Sequence, residues 1–100
     1  MTMTNTQSVI ALALHAKLEE LFAERTAMTA VYTERLADLD REYLALADRF
    51  RSMGYPRAAD HVDAEHWTTR AAVTQSLARS THLYDTVIAR VYDVLGVQTA

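Results

Sequence analysis

The chain has 100 residues, of which 50% are hydrophobic and 23% charged, and its formal net charge is −3. Two glycines and one proline are too few turn residues for an all-β fold. The absence of cysteine excludes disulfides, thiolate zinc sites and a cysteine nucleophile. The acidic balance disfavours nucleic-acid binding, which requires clustered lysine and arginine. The length favours a single domain, and the lack of cysteine predicts a reducing compartment, the cytoplasm.

The first helix is predicted from one long apolar stripe. Residues 1–8 are uncharged, and we expect them to form a flexible N-terminus. Over about 8–53, apolar side chains recur every three or four positions, and only Arg25 interrupts the series. The mean step of about 3.6 residues is the helical period, and a helix of this length needs a partner helix, as in a coiled coil. Its predicted core residues are Leu18, Leu21, Met28, Tyr32, Leu36, Leu39, Leu46 and Phe50.

A turn is predicted at 54–56, where the apolar stripe stops. Gly54 can adopt the left-handed conformation that ends many helices, and Pro56 suits the first turn of the next helix. A second apolar stripe then predicts a helix over about 57–95, followed by a short tail at 97–100. The predicted core residues of the second helix are Val73, Leu77, Tyr84 and Val91.

A tight turn between two long helices makes them antiparallel, so residue i of the first faces roughly residue 110 − i of the second. This pairing places Arg25 beside Asp85 and predicts an ion pair between them. The alternative is an arginine whose aliphatic part lies along the surface while its charge reaches water. The predicted fold is an all-α antiparallel two-helix hairpin over 9–96.

The second helix carries another face, about 100° from its apolar stripe. Small residues on this face allow close approach of another helix, and aromatic residues at its ends are typical interface anchors. We expect this face to be the interface at which two hairpins form a homodimer, a four-helix bundle. The alternative is an alanine-rich exposed surface with a single tryptophan. The predicted interface residues are Trp67, Ala71, Thr74, Ala78, Thr81, Ile88 and Tyr92.

One group of side chains has the spacing of metal ligands. Asp63 and His66 stand three positions apart on one helical face, and Glu42 lies at the same level of the first helix. These three residues resemble the half-site of the two-helix encapsulated ferritins, with Asp63 where that pattern has glutamate. The resemblance implies an iron or manganese di-metal site assembled at a homodimer interface. The alternative is a partly buried His66 that is hydrogen-bonded by Tyr43 or Asp63.

No catalytic motif accompanies this group. The sequence contains no Gly-x-Ser-x-Gly elbow and no glycine-rich phosphate loop. It contains no apolar stretch of the roughly 18 residues that cross a bilayer, so we expect no membrane partner. The favoured function is a non-enzymatic, cofactor-free interaction module that binds an unidentified protein. It would act as an adaptor, a chaperone-like subunit, or a phage- or plasmid-type inhibitor of a larger protein.

Overall fold

The computed structural model describes the backbone of residues 2–99 and the side chains of residues 8–97. It contains two helices, α1 (Thr2–Ser52) and α2 (Pro56–Thr99), which pack against each other as a hairpin. No strand occurs in the described part of the chain. The predicted all-α two-helix fold is therefore confirmed.

The helices extend beyond the predicted bounds at both free ends. Residues 2–8, which were expected to be flexible, belong to α1, and α2 passes through Gly96 into residues 97–99. The N-terminal segment contains no glycine or proline, and Gly96 keeps a helical backbone, so nothing local stops either helix. Met1 and Ala100 lie outside the described residues.

The turn between the helices has the hydrogen bonds of a Schellman motif. The backbone N–H of Tyr55 donates to the carbonyl of Phe50 at 2.8 Å, and that of Gly54 donates to Arg51 at 3.1 Å. Gly54 has a φ of 83°, in the left-handed region. Pro56 follows as the first residue of α2, where its missing N–H leaves no helical bond unmade.

Gly54→Val should lower the free energy of unfolding by about 1–2 kcal/mol, because a β-branched residue is strained at positive φ. A Cβ at this position meets nothing within 4 Å, so the loss comes from backbone strain and not from a clash. Urea denaturation measures it. Gly54→Asn is the control, since asparagine tolerates this conformation, and its loss should be smaller. Equal stability of the Val and Asn variants would contradict the turn geometry.

The hairpin divides into two compact units. The end unit comprises Met1–Met28 and Arg79–Ala100, and the turn unit comprises Thr29–Ala78. In the end unit, Arg25 Nε donates to Asp85 Oδ1 at 2.9 Å, which confirms the predicted ion pair. The core of the end unit consists of buried Leu18, Leu21, Ile88 and Leu95, with Ala11, Leu14, Tyr84 and Val91 packed against them.

The core of the turn unit is built on small side chains. Ala47 and Ala59 are 0% exposed and cluster with Val62, so α1 and α2 approach closely beside the turn. Tyr43 and Phe50 pack against this cluster. Neither alanine was among the predicted core residues, because alanine is a weakly apolar residue and most of the described alanines of this chain are exposed.

Most of the predicted core residues are buried or partly buried. Leu18 and Leu21 are buried, whereas Leu46 is exposed because its neighbour Ala47 takes the position that faces α2. Those that are partly buried are Met28, Tyr32, Leu36, Leu39, Phe50, Val73, Leu77, Tyr84 and Val91.

Ile88 requires a correction, because it was assigned to the dimer interface and lies in the core at 7% exposure. Val87, the residue before it, is 43% exposed. Ile88 stands four residues after Tyr84 and seven before Leu95, so these three side chains share one face of α2. Packing against α1 selects that face.

Candidate interaction surface

The surface with the clearest binding features lies on α2 within the turn unit. Trp67 is 70% exposed, and Ala71, Thr74 and Ala78 are exposed beside it. We call these four residues the Trp67 face. Their spacing of four, three and four residues keeps them on one side of the helix. The face therefore presents one large aromatic side chain at its N-terminal end and small side chains toward its C-terminal end.

The other predicted interface residues belong to the end unit and differ in exposure. Tyr92 is exposed and Thr81 is partly buried, while Ile88 is in the core. The end unit also exposes apolar side chains that were not predicted as interface residues, among them Leu12, Phe22, Leu83, Val87 and Val94. Leu83 and Val94 lack a signal of their own in the sequence, because a single exposed aliphatic residue is common on protein surfaces.

A polar cluster in the turn unit lies next to Trp67. His66 Nε2 lies 2.6 Å from Asp40 Oδ1, and Arg70 Nη1 donates to Asp40 Oδ2 at 3.2 Å. The predicted partners of His66 were Tyr43 or Asp63, and the acceptor is instead Asp40. The antiparallel pairing contained a signal for the contact between His66 and Asp40. It sets residue 40 opposite residue 70, and residue 70 lies one helical turn after His66.

Three aromatic rings form a row from the helix seam to the surface. The rings of Tyr43 and His66 are stacked, with centroids 5.2 Å apart and planes 6° apart. Trp67 lies next, with its centroid 6.2 Å from that of His66 at an interplanar angle of 28°. Trp67 remains 70% exposed at the end of this row, so most of the indole surface is open to solvent.

The three predicted metal ligands are not gathered into one group. Asp63 forms an ion pair with Arg51, and its hydrogen bond and charge raise the pKa of that guanidinium above the ordinary value. His66 is paired with Asp40, and Glu42 is exposed at the edge of a shallow groove. Across the described residues, no set of three His, Asp or Glu side chains is arranged to hold a metal ion.

No family model, curated protein or solved structure matches the chain. Within the described residues, neither helix has an apolar stretch that could cross a bilayer.

Proposed function

We propose that the protein is a non-enzymatic protein–protein interaction module that works as a homodimer. The observation that carries the proposal is the exposure of Trp67, at 70%, on a face whose other residues are small and uncharged. Aromatic side chains are the commonest anchors of protein interfaces, and water-exposed tryptophan is unusual on a monomer.

The total exposed surface also supports association. The single chain exposes 7477 Å², whereas a compact monomer of this mass exposes about 5,700 Å². The apolar core of the described residues consists of two small clusters, so burial of further surface would add stability.

The net charge supports a particular kind of further partner. At a formal charge of −3, the chain favours a protein with a basic surface, because complementary charge speeds association and discourages wrong partners. An adaptor, a chaperone-like subunit and a phage- or plasmid-type inhibitor of a larger protein all fit this description. The proposed compartment is the cytoplasm, on the basis of the cysteine-free composition.

Light scattering coupled to size exclusion, at two protein concentrations, tests the proposal. We expect the mass of a dimer at the higher concentration and a shift toward monomer on dilution. A monomer at both concentrations would contradict the proposed self-association.

Elemental analysis of the eluted peak tests the alternative of an iron or manganese site. A metal at Asp63 and His66 would have to displace Arg51 from the first and Asp40 from the second. We therefore expect no stoichiometric iron, manganese or zinc in the peak. A stoichiometric metal that is lost in His66→Ala, with the dimer retained, would establish the metal-binding bundle instead.

A further inference from the structure

We propose that the shallow groove between α1 and α2 in the turn unit binds an arginine side chain of a partner protein. The groove is lined by the ring of Tyr43, the aliphatic side chain of Leu46, and two carboxylates, Glu42 on α1 and Glu65 on α2. We call it the acidic groove. The inference rests on the proposed role as an interaction module for a basic protein, and it assigns the contact that recognises the basic side chain.

The two carboxylates of the acidic groove have no cationic partner among the described residues. Neither Glu42 nor Glu65 forms an ion pair or a side-chain hydrogen bond there. Unpaired carboxylates contributed by both helices to one groove favour a ligand that brings its own positive charge. Most other carboxylates of the turn unit are already paired with arginine or histidine, namely Asp38, Asp40, Asp48, Asp60 and Asp63.

The rest of the groove lining suits the aliphatic part of an arginine. Leu46 is 38% exposed, so its side chain remains open to a ligand. The ring of Tyr43 is stacked on His66, and its hydroxyl lies 3.5 Å from Thr69 Oγ1. An arginine packs its methylene groups on apolar surface while its charged end stays among polar groups. The groove offers both surfaces side by side.

The placement of the two carboxylates on different helices favours arginine over other cations. A guanidinium presents five N–H donors in one plane, so it can bond two carboxylates that approach from different sides, and it also stacks on aromatic rings. A lysine ammonium is a compact, strongly hydrated charge without this fork. A metal ion needs further ligands, and the described residues contain no group of three side chains that could hold one.

The acidic groove is separate from the Trp67 face. Glu65 and Trp67 stand two positions apart in α2, which is about 200° around the helix axis, so their side chains leave the helix on nearly opposite sides. An arginine in the groove and a second copy at the Trp67 face can therefore be bound at the same time. The groove is testable whether or not the chain dimerises.

Titration of the full chain with the peptide acetyl-Gly-Arg-Gly-amide tests the groove, followed by ¹H–¹⁵N NMR at constant ionic strength. The same peptide with citrulline, which is neutral and has the shape of arginine, is the control ligand. We expect the backbone amides of residues 43, 46 and 65 to shift with the arginine peptide and not with the citrulline peptide. The peptides are taken to millimolar concentrations, because exposed ion pairs are individually weak.

Three results of this titration would overturn the proposal. The first is equal shifts with both peptides, and the second is the absence of arginine-induced shifts at residues 43, 46 and 65. The third is shifts at these residues that appear on raising the protein concentration without peptide, because they would assign the groove to a second copy of the chain.

Replacement of both carboxylates, Glu42→Gln with Glu65→Gln, measures their contribution. We expect the dissociation constant of the arginine peptide to rise at least about fivefold, because two exposed ion pairs are lost. Glu19→Gln with Glu34→Gln is the matched control, since both residues are exposed, form no ion pair among the described residues and lie outside the groove. The control removes the same charge and should leave the constant unchanged. Equal losses in the two double variants would show attraction by net charge alone and overturn the proposal.

Failure of this inference is distinguishable from failure of the proposed function. A dimer that binds neither peptide would overturn the assignment of the groove and leave the proposed self-association intact. A monomer whose groove binds the arginine peptide would contradict self-association and support the assignment.

Discussion

We expect Ile88→Ala to lower the free energy of unfolding by about 2–4 kcal/mol, the range for a buried isoleucine that leaves a cavity. Ile88 is 7% exposed in the core of the end unit, in a cluster that contains only three other buried residues. Such a small cluster cannot compensate for the lost contacts by repacking. Urea denaturation at a fixed, low protein concentration measures the change, with circular dichroism at the start of each titration.

Val87→Ala is the matched control for Ile88→Ala. The two residues are adjacent and both β-branched, but Val87 is 43% exposed and contributes less to the core. Its replacement should change the free energy of unfolding by less than about 1 kcal/mol. If Val87→Ala were the more damaging of the two, α2 would be rotated relative to the packing described above.

The second large effect is expected from Ala59→Leu, which should lower the free energy of unfolding by about 1–3 kcal/mol. Ala59 and Ala47 are both 0% exposed where α1 and α2 approach beside the turn. A leucine side chain has no room there, so the helices must separate or the side chain must take a strained rotamer. Thermal and urea denaturation of the variant measure the loss.

Ala64→Leu is the control for overpacking. Ala64 lies on the same helix but is exposed, and leucine is a good helix former, so stability should change by less than about 0.5 kcal/mol. Were Ala59→Leu as stable as Ala64→Leu, the close contact between the two helices beside the turn would be refuted.

The architecture could be predicted from the sequence because two strong local signals agree. The apolar stripes fix the helical period, and Gly54 with Pro56 supplies a stop followed by a start. Once the turn is placed, the antiparallel pairing follows, and the ion pair between Arg25 and Asp85 with it. The helix ends were less predictable, because a mostly polar segment such as residues 2–8 can be helical or irregular.

The details of packing could not be predicted, for three physical reasons. Alanine carries no signal that separates a buried from an exposed position, so Ala47 and Ala59 were missed. Val87 and Ile88 are adjacent apolar residues, and only contact with α1 decides which of them is buried. Asp40 pairs with His66. The antiparallel pairing sets Asp40 near this level, but several other carboxylates had comparable spacing, so the sequence did not single it out.

The candidate surface was predictable in part. The spacing of Trp67, Ala71, Thr74 and Ala78 placed these residues on a common face, and all four are exposed. The position of the Trp67 ring beside that of His66 was not expected, because the sequence does not determine side-chain rotamers.

The fluorescence of Trp67 is the most direct test of the proposed dimer face, because it is the only tryptophan in the chain. Its emission is measured below and above the concentration at which light scattering reports dimers. We predict that the maximum shifts to shorter wavelength as the dimer forms, since a second copy covers an indole that is 70% exposed in the single chain. The shift should be absent in Ala78→Glu, which places a carboxylate on the Trp67 face, and present in Ala45→Glu, on an exposed position of α1. An emission maximum that stays constant while the mass doubles would show that the dimer forms through another surface.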